Sequence, residues 1–167
     1  MGANDIGRDE FLVMPGEFYV GQGRHTVRTL LGSCVALVFW HPQAEVGGMC
    51  HYLLPGRTRS QGMPRDGQYA DEALEMVAEM MARAGAPLAA CQAWFFGGAN
   101  SLASQPVPSV FDIAQRNVEA GLAALGRSGA RLVSQDVGGR WPRNVSLHLS
   151  SGQVTCRSQQ PTTANPP

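Results

Sequence analysis

Cys34, with Gly32 and Ser33 immediately before it, and His51, seventeen positions later at the edge of an apolar run, are the residues best suited to act together. A cysteine reacts as its thiolate, and a nearby imidazole is the usual means of producing one. The chemistry such a pair supports is nucleophilic attack by the thiolate. The inert alternative is that Cys34, Cys50 and His51 simply fill an apolar core, since free cysteine is among the most buried residue types. Gly47 and Gly48, just upstream of the histidine, are expected to let the chain turn back and approach closely.

Other chemistries lack their patterns. Cys34, Cys50, Cys91 and Cys156 are irregularly spaced and form no CxxC, which argues against a zinc knuckle or a thioredoxin-type site and predicts four reduced thiols. Histidines 25, 41, 51 and 148 show no HExxH spacing, so no metal is expected. The glycine pairs 97–98 and 138–139 lack the surroundings of a phosphate-binding loop and read as tight turns beside a site. No GxSxG is present. No organic cofactor is called for either.

The elements that must position these residues belong to one domain. A chain of 167 residues is long enough to bury a real core, and 44% hydrophobic with 16% charged residues is an ordinary folded composition. Thirteen basic and thirteen acidic side chains cancel, leaving no electrostatic footprint for nucleic acid or an anionic membrane. The N-terminus has no secretory pattern, and no apolar run approaches the roughly twenty residues of a membrane span. A cytoplasmic protein without membrane insertion is the expectation.

Residues 1–10 read as a loose leader, and residues 158–167, polar and proline-rich, as a disordered tail beyond a domain spanning 1–157. Strands are expected over 11–14, 17–21, 46–54, 91–96, 131–137, 144–149 and 153–157, the last two forming a hairpin, while 25–31 leads into the Cys34 stretch. Residues 35–40, VALVFW, are apolar throughout, so periodicity does not separate strand from buried helix. Valine favours a strand. A short helix capped by Ser33 suits a thiolate better and is the reading leaned towards. Helices are expected over 69–84 and 111–125, the second starting near Ser109 or Asp112. Residues 56–68, with three Gly, one Pro and three Arg, read as an exposed loop carrying a solvated basic cluster, or as the border of a substrate site. Two helices among hairpin-like strands indicate an α+β layered domain of mixed or antiparallel sheets.

Several short motifs, taken in order, carry a resemblance. TLLGSCVALV, GGMCHYLLP, YADEAL, FFGGAN, IAQRNV and DVGG followed by Arg143 resemble the chemoreceptor glutamine deamidases of the CheD family, from about Phe11 to Arg157. Departures are Ser101 and Leu102 after FGGAN, where Met and an aromatic residue are expected, and Ala114 in place of a glycine.

The resemblance implies a fold related to the deamidating domain of cytotoxic necrotising toxins and a Cys-His-Thr site. Carried over, these are Cys34, His51 and Thr29, with Thr26 the fallback for the threonine. It implies hydrolysis of glutamine side chains on methyl-accepting chemotaxis receptors to glutamate, with release of ammonia and no cofactor. In some members a CheY phosphatase of the CheC family is a partner. Ser33 and Gly32 would shape the turn whose backbone N–H groups stabilise an oxyanion. Cys50 is expected on the opposite face of its strand. The competing readings are a non-catalytic adaptor that binds receptors or the phosphatase, and a redox-sensing thiol protein.

Overall fold

The computed structural model describes residues 4–7, 9–100 and 112–161. Among them are two five-stranded sheets and two α-helices. The strands are β1 (Asn4–Gly7), β2 (Glu10–Leu12), β3 (Phe18–Gly21), β4 (Thr26–Leu31), β5 (Val35–His41), β6 (Val46–Tyr52), β7 (Gln92–Gly97), β8 (Arg131–Val137), β9 (Arg143–His148) and β10 (Gln153–Ser158). The helices are α1 (Ala70–Arg83) and α2 (Ile113–Ser128). One sheet runs β1-β2-β4-β9-β10 and the other β3-β6-β5-β7-β8. Both are mixed, because β2 lies parallel to β4 and β7 parallel to β8 while the other pairings are antiparallel. The α+β layered expectation holds.

Three layers follow from where apolar side chains go. Val35, Leu37, Phe39, Cys50, Tyr52 and Phe95 of the second sheet pack against Leu74, Val77 and Met81 of α1 and Ala124 and Leu125 of α2. The other face of that sheet, with Ala36, Val38, Met49 and Phe96, packs on Val27, Leu31, Val145 and Leu147 of the first. A central sheet covered on both faces needs continuous apolar strands, and β5 and β6 are buried almost throughout.

That burial decides residues 35–40. They form β5, and the short helix does not occur: β5 is hydrogen-bonded on both sides, to β6 and to β7. A helix would leave both neighbours without their ladder partner. Gly47 and Gly48 make no turn either. They lie inside β6, and the reversal is made by residues 42–45, where Glu45 has φ 52°. A Cβ on Gly47 would meet Leu147 and Leu149 of the facing layer, and one on Gly48 would meet Met81 and Val77 of α1. The glycines permit close approach of layers on both sides of β6.

The leader is not loose throughout. β1 pairs with β2, so residues 4–7 close the edge of the first sheet. At the other end β10 runs through Ser158, paired with Arg143, and the Gln159 N–H donates to the Pro142 carbonyl at 2.9 Å. Regular pairing therefore extends past residue 157. The expected hairpin of residues 144–149 and 153–157 is present as β9 and β10. The Asp112 side chain caps α2, accepting from the Gln115 N–H at 3.0 Å, while Ser109 and the Ser101 and Leu102 departures lie outside the described residues.

Residues 56–68 have no helix or strand, yet their arginines are not merely solvated. Arg57 holds Glu72 of α1 through two hydrogen bonds, at 2.8 and 3.0 Å, and lies over the Tyr69 ring. Arg59 and Arg65 pair with Glu75 and Glu79 one and two turns further along the helix. The loop is strapped along the acidic face of α1. Arg57 and the Asp66 N–H together hold the buried Glu72 carboxyl below the usual carboxylate range.

Candidate active site

The Thr29 hydroxyl is the fixed point of the site. Thr29 alternates inward on β4 with Val27 and Leu31 and is fully buried between the sheets. Its Oγ1 donates to the Val13 carbonyl at 2.7 Å and lies 2.8 Å from His51 Nδ1. A hydroxyl has one proton, and Val13 takes it. The second contact therefore runs the other way, with His51 Nδ1–H donating to Thr29 Oγ1. That assignment leaves Nε2 as the unprotonated nitrogen. Nε2 is buried and has no hydrogen-bond partner among the described residues. It is a base with its lone pair free.

His51 reaches this place from the other sheet. On β6 it alternates with Cys50, and the two point to opposite faces: His51 and Met49 face the seam between the sheets, while Cys50 faces the helices. The expected placement of Cys50 as an opposite-face core residue is correct. Burial pushes the His51 imidazole down to about 4, the nearby Val13 carbonyl opposing this only in part, so the ring is neutral at neutral pH.

Cys34 ends the turn that carries the chain from β4 in one sheet to β5 in the other. Ala36 is the direct partner of His51 across the β5–β6 ladder. Cys34 lies in the bend just before β5, two residues ahead of Ala36. It is half-buried, and Gly32 and Ser33 beside it are exposed. Burial raises the Cys34 thiol, while the Ser33 side chain and the Cys34 N–H favour the thiolate. Burial thus disfavours the charged form of both Cys34 and His51.

The turn is held by its carbonyls. The Gly32 carbonyl accepts from Ala99 N–H at 2.9 Å, the Ser33 carbonyl from Asn117 Nδ2 at 3.2 Å, and the Cys34 carbonyl from Gly98 N–H at 2.9 Å. Among the described residues, neither the Ser33 nor the Cys34 N–H donates to another residue. Donors left unpaired on a half-open turn can receive charge that develops on a bound carbonyl oxygen. Gly97 has φ 118°, and a Cβ there would overlap the Cys34 carbonyl oxygen. Only glycine fits against the Cys34 turn at that point. Arg143, itself buried, donates to the Gly97 and Gly138 carbonyls and to Asp136, which locks the two glycine turns together.

Of the two candidate threonines, Thr29 is the one beside His51. Thr26 sits on the outward face of β4, where its hydroxyl lies 2.9 Å from His148 Nδ1. Gly97 stands at one of the tight turns expected beside a site, whereas Asn117 and Arg143 lie in motifs quoted above without a site role read from them. Their roles depend on three distant segments meeting at one turn, which no local spacing encodes. Among the described residues, no group of three or more His, Cys, Asp or Glu is placed to hold a metal ion. No described helix is long and apolar enough to cross a membrane.

Fold and site together define an α+β sandwich with a candidate thiol–imidazole centre at the seam between its sheets. The chain belongs to the CheD family. The family model, described as CheD chemotactic sensory transduction, matches residues 53–158. A probable chemoreceptor glutamine deamidase CheD of Pseudomonas savastanoi pv. phaseolicola is 42% identical over 156 residues, covering 92% of this chain and 87% of that protein. Probable chemoreceptor glutamine deamidase CheD 1 of Chromobacterium violaceum is 40% identical over 146 residues, 87% of this chain and 76% of the relative. A probable chemoreceptor glutamine deamidase CheD of Methanococcus vannielii is 33% identical over 145 residues, 87% and 92% of the two chains.

Proposed function

We propose that the chain is a protein-glutamine deamidase that converts glutamines of chemotaxis receptors to glutamate, with Cys34 as nucleophile, His51 as base and Thr29 as the residue that orients the imidazole. The observation that carries this reading is the bond from His51 Nδ1–H to Thr29, which leaves the buried Nε2 without a hydrogen-bond partner among the described residues, on the strand that pairs with β5 just after Cys34. The relatives named as probable chemoreceptor glutamine deamidases supply the substrate class.

The reaction balances without a cofactor. His51 Nε2 takes the thiol proton as Sγ attacks the amide carbon, and a C–S bond forms. The carbonyl oxygen becomes an oxyanion facing the Ser33 and Cys34 N–H groups. The imidazolium then gives its proton to the amide nitrogen, the C–N bond breaks and ammonia leaves. Water, losing a proton to Nε2, attacks the thioester. The C–S bond breaks, the thiol is restored and the side chain leaves as glutamate. Burial disfavours the charged forms of both Cys34 and His51, so in this reading the proton moves as the sulfur attacks.

The substrate in this reading is the cytoplasmic helical region of a receptor, and a CheC-type phosphatase is the partner expected to modulate the enzyme. The test is mass spectrometry of a purified receptor cytoplasmic domain incubated with this protein or with Cys34→Ala. A gain of about one mass unit per converted glutamine, only with the unsubstituted protein, is expected. No conversion by folded, reduced protein would sink the reading and favour an adaptor.

A further inference from the structure

Asn117 is the polar side chain whose contacts reach both arms of the site without touching either Cys34 or His51. It is fully buried on α2, four residues before Gly121, where a Cβ would overlap the Tyr52 hydroxyl. That close approach brings one face of α2 down onto β6. The Asn117 amide nitrogen donates twice, to the Ser33 carbonyl at 3.2 Å and to the Leu53 carbonyl at 2.7 Å. Ser33 immediately precedes the nucleophile, and Leu53 follows the base by two residues. The Asn117 backbone carbonyl in turn accepts from the Tyr52 hydroxyl at 2.5 Å.

We propose that Asn117 is a positioning residue that fixes the nucleophile turn against the base strand and aims the Cys34 N–H at the reacting carbonyl. In a trans peptide the C=O and the following N–H point in opposite directions. Drawing the Ser33 carbonyl towards α2 therefore turns the Cys34 N–H away from the helix, to the side left unpaired. One NH2 group has two protons in a fixed plane, so holding two carbonyls with it also fixes the distance between the segments that bear them. A group serving packing alone would not be expected to leave its own acceptor unused, yet Asn117 Oδ1 is buried without a hydrogen-bond partner among the described residues. Such an acceptor is a standing cost, tolerated where the donor half of the amide is needed.

The inference rests on the roles given above to Cys34 and His51, and its test separates the two. Asn117→Asp and Asn117→Ala remove the donors, whereas Tyr52→Phe loosens the same helix contact and leaves the amide bridge in place. Each protein is assayed for kcat and KM on a receptor domain, for the pH profile of Cys34 alkylation by iodoacetamide, and for cooperative unfolding. Displacing a reacting group by about 1 Å costs on the order of 10²-fold in rate. We expect that loss in kcat for both Asn117 variants, with KM within about threefold, since substrate binding is not what the amide serves. Their Cys34 alkylation profile should move to higher pH as the N–H leaves the sulfur, and Tyr52→Phe should keep kcat within about threefold.

A folded Asn117 variant with unchanged kcat and alkylation profile overturns the proposal. So does an equal loss of kcat in Tyr52→Phe, or failure of both Asn117 variants to fold, since each would make the residue a strut of the core. Should the unsubstituted protein convert no glutamine, the deamidase reading fails. The alkylation profiles would still decide whether Asn117 sets Cys34.

Discussion

Thr29 and His51 come from different sheets and meet at 2.8 Å, and the direction of that bond is fixed by a third residue. Because the Thr29 hydroxyl proton goes to Val13, the imidazole is held as the Nδ1–H tautomer with Nε2 unprotonated. Replacing Thr29 by valine keeps the shape but removes both functions. The Val13 carbonyl and His51 Nδ1 would be left buried and unpaired, costing about 1–3 kcal/mol. Activity should fall at least about tenfold, as the ring loses its tautomer and orientation. Thr26→Val, on the outer face, should stay within about 0.5 kcal/mol and keep its activity. Ammonia release and urea unfolding of the two variants make the comparison.

The four thiols should differ sharply in reactivity. Burial pushes Cys50 up to about 12 and Cys91 and Cys156 to about 11. Cys34 is raised as well, but the Ser33 side chain and its own N–H counter the burial. Iodoacetamide at pH 8 to 8.5 should therefore label Cys34 first in the native protein. Peptide mapping of a time course would show it, and first labelling at Cys156 would contradict the account of the turn.

Acid should weaken the fold through His51. Its folded pKa of about 4 lies below the ordinary 6.5, so between these values the unfolded chain binds a proton that the folded chain does not. Stability is unaffected above pH 6.5, falls as pH drops towards 4, and levels off below. The full loss from this group is on the order of 3 kcal/mol. His51→Gln should flatten the slope of unfolding free energy between pH 6.5 and pH 4. A slope identical to that of the unsubstituted protein would remove the imidazole as its source.

Gly97 and Gly32 should respond oppositely to alanine. At Gly97 a methyl group would meet the Cys34 carbonyl and its φ of 118° disfavours any L side chain. Gly97→Ala should destabilise by more than about 1 kcal/mol and abolish most activity, as the Cys34 turn is pushed aside. At Gly32 nothing lies within 4 Å of a built Cβ. Gly32→Ala should unfold at the same urea concentration as the parent, within error. A reversed ranking would mean that the turn is not braced from β7.

How much of this was legible in the sequence depended on whether the signal was local. The helices announced themselves by apolar stripes at helical spacing, and the hairpin of β9 and β10 by its Ser150–Gly152 turn. Cys34 and His51 could be set on adjoining elements because one strand, one turn and a second strand join them, and the ladder puts Ala36 opposite His51. Residues 35–40 misled because a strand buried on both faces and a buried helix are equally apolar, and only the β6 and β7 ladders decide between them. Gly47 and Gly48 misled because glycine serves both turns and close packing. Asn117 stayed hidden because its partners, Ser33 and Leu53, lie 84 and 64 residues away.

The candidate site has no home in either sheet alone. Thr29 stands on β4 of one, His51 on β6 of the other, and Cys34 on the bend that crosses between them. Catalysis on this reading gauges how well two slabs are registered. A preparation in which each sheet kept its own ladder while the slabs slid by a fraction of a side chain would look native by far-ultraviolet circular dichroism and be dead as an enzyme. Turnover should therefore disappear ahead of secondary structure on warming, by the margin that separates a loosened seam from an open fold.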